Sequence, residues 1–303
     1  MNDEFQFSKY NEVRYELMRP DQIIKAREKT PVVYIPLGPL EWHGYHLPFG
    51  VDMLHAYTIA LETAMVTGGV VLPQLPLGSE RLLEPDRVKD RGFDENEQIV
   101  GMDFPGLSLT SLYIDEDIFL NVVRELIKGL KIQGFRVITI VNGHGGKFHV
   151  IGLIKTAIQE TEPGKVAVLH AFAADIGPGK GGHAERGETA FMQAFFPDTV
   201  KLDALPPLPT PLKNVEHGVL DAPTCEGKPT PDYTVRMEQD PRNANIEEGF
   251  EATKSVVSRV SNQIGEALKT WDDPEFPAWS PSRILGFDYE IDPKEVAAYF
   301  NLE

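Results

Sequence analysis

The chain has 303 residues, 42% of them apolar and 25% charged, a balance that fits a soluble globular protein of one large domain or two ordinary ones. Its 46 acidic residues against 29 basic ones give a net charge of −17, which repels nucleic-acid phosphates and anionic membranes over most of the surface and leaves only local basic patches open to them. No apolar run approaches the roughly 20 residues that span a bilayer, and "MNDEFQFSKYNEVRYELM" has neither the basic nor the apolar region of a signal peptide. A lone Cys225 excludes an intrachain disulfide framework and a cysteine-based zinc finger. A cytoplasmic location is therefore expected, with no nucleic-acid or membrane partner.

The first clear element is a buried strand over 31–38, "PVVYIPLG", β-branched and closed by Gly38. Residues 51–67 read as a helix, with Gly68 and Gly69 where a C-cap belongs. "VVLPQLPLG" at 70–78 reads as another strand, interrupted by prolines near its end. Residues 79–104 are charged and carry no clear element. The pattern predicts a helix over 115–133, with acids in its first turn and Ile118, Val122, Leu126 and Leu130 at helical spacing, ended by Gly134. "FRVITIVNG" at 135–143 is the clearest strand. A helix is expected from about 147 to 160, a strand at 165–172, a helix at 186–196 and a long helix at 246–270. Between the last two, 203–245 is rich in proline and polar residues, the composition of a lid or binding loop.

Strands alternating with helices predict an α/β fold, a mainly parallel sheet covered on both faces. No internal repeat and no interdomain linker is visible, so 1–303 is expected to form one domain. Ligands of such sheets sit beyond the carboxyl ends of the strands. Three segments end a strand in polar or Gly-rich residues, at 36–52, 141–146 and 173–189, and are expected to meet at one edge.

Each of these segments holds side chains that seek metals. "PLGPLEWHGYHLPFGVD" carries Glu41, His43, His46 and Asp52. Carboxylate and imidazole suit zinc, manganese or iron(II). Glu-x-His puts both side chains on one side of an extended segment, whereas Asp52 alone reads equally as a helix N-terminal acid. "VNGHGG" places His144 at a strand end among glycines that allow close approach; by itself it reads as a tight turn. "GGHAERGETA" gathers His183, Glu185 and Glu188, of which Glu188 alone reads as a first-turn acid favoured by the helix dipole. Four of the eight His residues fall in these three segments, and two metals need about this many ligands and one carboxylate able to bridge. Two such ions polarise a carbonyl and hold hydroxide at neutral pH.

In order and interval, "PLGPLEWHGYHLPFGVD", "NGHGG" and "HAERGET" resemble the motifs of the creatininase (creatinine amidohydrolase) family. "GSE" at 78–80 and "FPGLSL" at 104–109 resemble a further family region, and "DPRNANIEEGFEATKSVV" its last helix, so that the likeness covers about 30–270. The resemblance implies a single three-layer α/β/α sandwich, often a homohexamer, with two divalent metal ions per chain. Carried over by position, Glu41, Asp52 and His144 would bind one ion, and His43, Asp52 and Glu188 the other, with Asp52 bridging. Creatininase itself uses a Glu two residues after the NGH His, where this chain has Gly146, so Glu188 is the substitute. His183 matches a His near the substrate, suited to proton transfer or to steadying an oxyanion, and His46 would orient a ligand.

This chain departs from the family in an insertion at about 81–103, in Glu185 and Arg186, and in an extension at about 271–303. These departures argue against creatinine as substrate. The expected activity is metal-dependent hydrolysis of a small cyclic or formyl-type amide by a bridging hydroxide, with His183 and Glu188 as the catalytic pair. The alternative is ring-opening carbon–carbon hydrolysis of a cyclic keto-polyol, and a third reading is a non-catalytic scaffold.

Overall fold

The computed structural model describes residues 7–90, 93–145, 149–161, 166–173, 182–212, 214–215, 218–219 and 238–269. The extension at 271–303, Gly146, Cys225 and most of 213–237 lie outside the described residues.

Four strands lie side by side in one parallel sheet. They are β1 (Val32–Gly38), β2 (Val70–Val71), β4 (Val137–Asn142) and β5 (Ala167–Phe172), in the order β2-β1-β4-β5. A two-residue β3 (Leu75–Pro76) also pairs with β1. The expected strand at 70–78 is thus two short pieces: Pro73 and Pro76 lack the N–H that a continuous ladder requires. Two further dipeptides, β6 (Asn214–Val215) and β7 (Gly218–Val219), form a separate antiparallel pair.

β1 and β4 are buried along their whole length, which is why they read as continuous apolar runs. Their side chains alternate between two cores. Val32, Tyr34, Val137 and Val141 face α2 (Val51–Thr67), α6 (Arg186–Phe195) and α7 (Ile246–Lys269). Val33, Ile35, Leu37, Ile138 and Ile140 face α4 (Glu116–Ile132) and α5 (His149–Glu160), with Ile23 and Ala26 of α1 (Pro20–Lys29) packed at the margin. Helices therefore cover both faces of the sheet. The sequence reading had not singled out α1, whose proline starts it at N1, nor the short α3 (Pro85–Asp90), which lies within 79–104 where no clear element was expected.

Helix α4 starts at the Asp115 N-cap, whose side chain accepts from the Asp117 N–H. Its buried stripe is Phe119, Val123, Ile127 and Leu130. Ile118 and Val122, also at helical spacing, are 57% and 36% exposed, so the buried face lies one residue round from the Ile118–Val122 register. Among the described residues, no helix is long and apolar enough to cross a membrane.

From β1 the chain runs out to β2 and returns to β4 on the other side of β1. The carboxyl ends of β1 and β4 therefore flank a switch point, where α/β sheets open a crevice for ligands.

Candidate metal centre

Glu41 and His43 leave the end of β1 in a loop closed by the Glu41 N–H donating to the Phe49 carbonyl at 3.0 Å. Asp52 follows in the first turn of α2. His144 comes two residues beyond β4, where the Asn142 side chain clamps the turn, donating to the His144 carbonyl at 2.7 Å and accepting from its N–H at 3.1 Å. Glycine at 143 is demanded by proximity: a Cβ there would lie 2.0 Å from the Asp52 carbonyl oxygen. The end of β4 and the first turn of α2 thus touch backbone to backbone. Glu188 lies in the first turn of α6, whose N-cap Glu185 accepts from the Gly187 and Glu188 N–H groups. Just before it, Ala184 takes a left-handed φ of 52° and donates its N–H to the Glu188 carboxylate.

These side chains converge. His43 Nε2 stands 3.5 Å from both Asp52 Oδ1 and Glu188 Oε2. His144 Nδ1 stands 3.1 Å from Asp52 Oδ2 and 3.4 Å from Glu41 Oε2. Two donor groups result, Glu41–Asp52–His144 and His43–Asp52–Glu188, both wholly buried and sharing Asp52, with all donor atoms of each within 4.8 Å of one another. A third grouping, Glu41–His43–His183, overlaps them. An ion held tetrahedrally at about 2.0–2.2 Å from each donor sets neighbouring donors roughly 3.3–3.6 Å apart, close to the separations here. His43 adds a second sign of fit: its Nδ1 donates to the Glu41 carbonyl at 3.0 Å, while its buried Nε2 has no hydrogen-bond partner and faces the carboxylates. Carboxylate and imidazole donors of this kind suit zinc, manganese or iron(II).

The charges hold one another. Burial pushes Asp52 upward, but His43 and His144 outweigh it and keep the carboxyl far below its usual range. Burial likewise opposes the charged forms of His43 and His144, yet the carboxylates around them raise both well above the ordinary imidazole value. Metal ions would take the place of these protons.

His183 lies beside the cluster, its ring 4.1 Å from that of His43 and its Nδ1 3.5 Å from Glu41 Oε2. Its Nε2 meets the Trp42 carbonyl, which can only accept, so the proton sits on Nε2 and the Nδ1 lone pair faces the site. Burial, then His43, lowers its pKa. His46 is set back from the donor groups. It donates from Nε2 to the Ala184 carbonyl at 3.1 Å, and burial brings its pKa down to about 4. It thereby braces the turn that presents Glu188.

Three polar residues against the cluster had not been read from the sequence as part of the site. Tyr113 donates to Glu41 Oε1 at 2.7 Å. Glu80 Oε1 lies 3.2 Å from His144 Nε2. His55, one turn after Asp52, is buried with its ring 4.1 Å from Phe191. The "GSE" likeness had pointed at Glu80 without a role; nothing in the local sequence marks Tyr113 or His55.

A parallel sheet covered on both faces, with acids and imidazoles gathered at its switch point, defines an α/β protein with two candidate metal-donor groups. The family model for creatininase, described as creatinine amidohydrolase, matches residues 16–264, and the chain belongs to that family, whose known members are hydrolases. It is similar to the creatinine amidohydrolase of Pseudomonas putida, 29% identical over 191 residues that make up 57% of this chain and 67% of that one. A mycofactocin precursor peptide peptidase of Mycobacterium tuberculosis is 26% identical over 200 residues, 62% of this chain and 70% of that one. A 3-dehydro-scyllo-inosose hydrolase of Thermotoga maritima is 25% identical over 198 residues, 61% of this chain and 57% of that one. The crystal structure of creatinine amidohydrolase shares the fold, with a TM-score of 0.59 at 21% identity over 88% of this chain and 98% of that one. Other solved creatininases of the same fold are described as zinc–zinc and manganese forms.

Proposed function

We propose that this protein is a metal-dependent hydrolase with two divalent ions per chain that cleaves a small cyclic or formyl-type amide. The observation that carries the reading is the pair of buried donor groups sharing Asp52. Glu41, Asp52 and His144 would hold one ion, and His43, Asp52 and Glu188 the other. Family relatives described as zinc–zinc and manganese forms support the choice of metals. Bound there, such ions supply Lewis-acid polarisation of a carbonyl and a water acidic enough to act as nucleophile near neutral pH.

The chain's own residues do the rest. Glu188 accepts the Ala184 N–H at one oxygen and faces His43, so its carboxylate is fixed where it can take a proton from water. His183, neutral and with its Nδ1 lone pair turned inward, receives at that atom the proton that Glu188 took from water and delivers it to the leaving nitrogen. Trp42, through its carbonyl, holds the imidazole in the tautomer this requires.

A second reading, ring-opening carbon–carbon hydrolysis of a cyclic keto-polyol, is favoured by the likeness to 3-dehydro-scyllo-inosose hydrolase. Both use the same polarised carbonyl and differ in the bond broken. The test is metal content by elemental analysis, on protein purified without chelator or nickel, followed by a screen of cyclic and formyl amides against cyclic ketoses. About two ions per chain, falling in a His43→Ala, Glu188→Ala double variant, is the expected result. Glu188→Gln should lower kcat by roughly 100-fold or more, with KM little changed. Full metal content with undiminished turnover in that variant removes Glu188 from the mechanism.

A further inference from the structure

The stretch from Gly78 to Tyr113 contains the insertion and grips the metal centre at several points. At its start, the Glu80 side chain is 6% exposed, and its Oε1 lies 3.2 Å from His144 Nε2, a buried nitrogen with no in-line hydrogen bond. At its end, Tyr113 donates to Glu41 Oε1 at 2.7 Å. Between them, the Ser111 hydroxyl accepts from the Trp42 N–H at 2.9 Å, and the Leu112 N–H donates to the Leu40 carbonyl at 2.8 Å. Glu41 and His144 belong to the same donor group, Glu41–Asp52–His144; neither belongs to His43–Asp52–Glu188.

The insertion ties the two ends of this stretch together. Leu83, Val88, Ile99 and Phe104 form a small core around Trp42, the residue between Glu41 and His43. The Leu83 N–H donates to the Ile99 carbonyl at 2.8 Å, and the Met102 N–H donates to the Tyr113 hydroxyl at 3.1 Å. The Tyr113 hydroxyl thus takes a hydrogen bond from the insertion on one side and gives one to Glu41 on the other. That arrangement leaves it a single proton to donate and aims it at Oε1. Oε2, the oxygen that faces His144 Nδ1, is left for the ion.

Chemistry assigns the second grip. A histidine binds metal through one nitrogen and is oriented by what its other N–H meets, most often a carboxylate. Here Nδ1 faces Glu41 and Asp52 while Nε2 faces Glu80. A carboxylate beside Nε2 keeps the proton there and leaves the Nδ1 lone pair free.

We propose that Glu80 and Tyr113, held together by the insertion, are positioning residues that set the affinity of one of the two metal positions, the one formed by Glu41, Asp52 and His144. The inference rests on the two-metal reading above. It gives the insertion a role in the metal centre itself, separate from any contact with substrate.

The experiment is a calorimetric zinc titration of chelator-stripped full-length protein, repeated with manganese. Wild type should bind in two steps. Glu80→Gln and Tyr113→Phe are nearly isosteric, and each should weaken one step by roughly 10- to 100-fold while leaving the other unchanged. The assignment comes from paired backgrounds. In His43→Ala, which removes the other position, the surviving step should weaken on adding either substitution. In His144→Ala, where the first position is already lost, neither substitution should alter the step that survives. Wild-type titrations in Glu80→Gln and Tyr113→Phe overturn the proposal, as does equal weakening of both steps in variants whose melting and circular dichroism match wild type. A wild-type protein that takes up fewer than two ions defeats the two-metal reading instead, and the positioning role falls with it.

Discussion

Asp52 joins the two donor groups, and its position depends on a residue with no side chain. Gly143 lets the end of β4 reach the Asp52 backbone; a methyl group there would meet the Asp52 carbonyl at 2.0 Å, with backbone on both sides of the clash. Gly143→Ala should therefore destabilise the fold by about 2–3 kcal/mol and lower metal content as well, which denaturant unfolding and elemental analysis would read together. His170 on β5 lines a groove with Asn262, Gln263 and Glu266 of α7. Burial, then Lys155, lowers its pKa from 6.5 to about 4. Between those values the unfolded chain binds the extra proton, so stability rises with pH. The contribution is complete above the unfolded value and is lost as pH falls from 6.5 toward 4, about 3 kcal/mol at most and less because the ring is only partly buried. Unfolding measured from pH 4.5 to 7.5 should show a shallower slope in His170→Gln than in wild type. An identical slope would mean that folding does not lower the His170 pKa. At this scale the sequence was legible where chemistry is concentrated in short motifs, as with Glu41, His43, His144 and Glu188. It was not legible for Tyr113 or for the role of Glu80, which meet their partners across sequence separations that no local pattern records.

Among the elements, α4 shows how periodicity leaves a face undecided. Its residues 118, 119, 122, 123, 126, 127 and 130 are all apolar, so two overlapping stripes both satisfy helical spacing. The sheet chose the stripe through Phe119, which is fully buried against Val33, Ile35 and Ile138 in one core. Phe119→Ala should cost about 3–5 kcal/mol. Ile118→Ala, at a residue 57% exposed, should stay within about 0.5 kcal/mol. A reversal of that order in chemical denaturation would place the wrong stripe in the core. Helix α6 was more legible, because its start is written in chemistry rather than period. The Glu185 carboxylate caps the N–H groups of Gly187 and Glu188, and Glu188, three residues after the cap, carries its charge at the positive end of the helix dipole. The broken strand at Val70–Val71 and Leu75–Pro76 was legible in part, since prolines mark an interruption without saying which residues on either side still pair.

For the whole molecule, a chain of net charge −17 gathers the carboxylates of Glu41, Asp52, Glu80 and Glu188 around three imidazoles, the first two and Glu188 buried. Such a concentration of desolvated acid is tolerable when cations answer it, and each bound ion then adds to the stability of the folded state alone. At a free concentration 100-fold above its Kd, an ion contributes about 2.7 kcal/mol. Stripping the protein with a chelator should lower Tm by roughly 5–10 °C per ion lost, and adding zinc or manganese should restore it. An unchanged Tm on both treatments would count against metal at this site. The measurement reads binding without reference to any substrate, so it holds whichever bond the enzyme breaks.

What the sequence determined by itself was local and repetitive. Continuous β-branched runs alternating with amphipathic stretches specify a buried parallel sheet under helices, because strands covered on both faces must be apolar throughout. Short motifs at the strand ends specify the donor chemistry, because imidazole and carboxylate declare their preferences residue by residue. The tertiary structure decided the rest. Strand order brought the ends of β1 and β4 together at a switch point, close packing selected the Phe119 face of α4, and the fold set Glu80 against His144 and Tyr113 against Glu41. These outcomes depend on distances between residues far apart in the chain, which composition and periodicity do not encode.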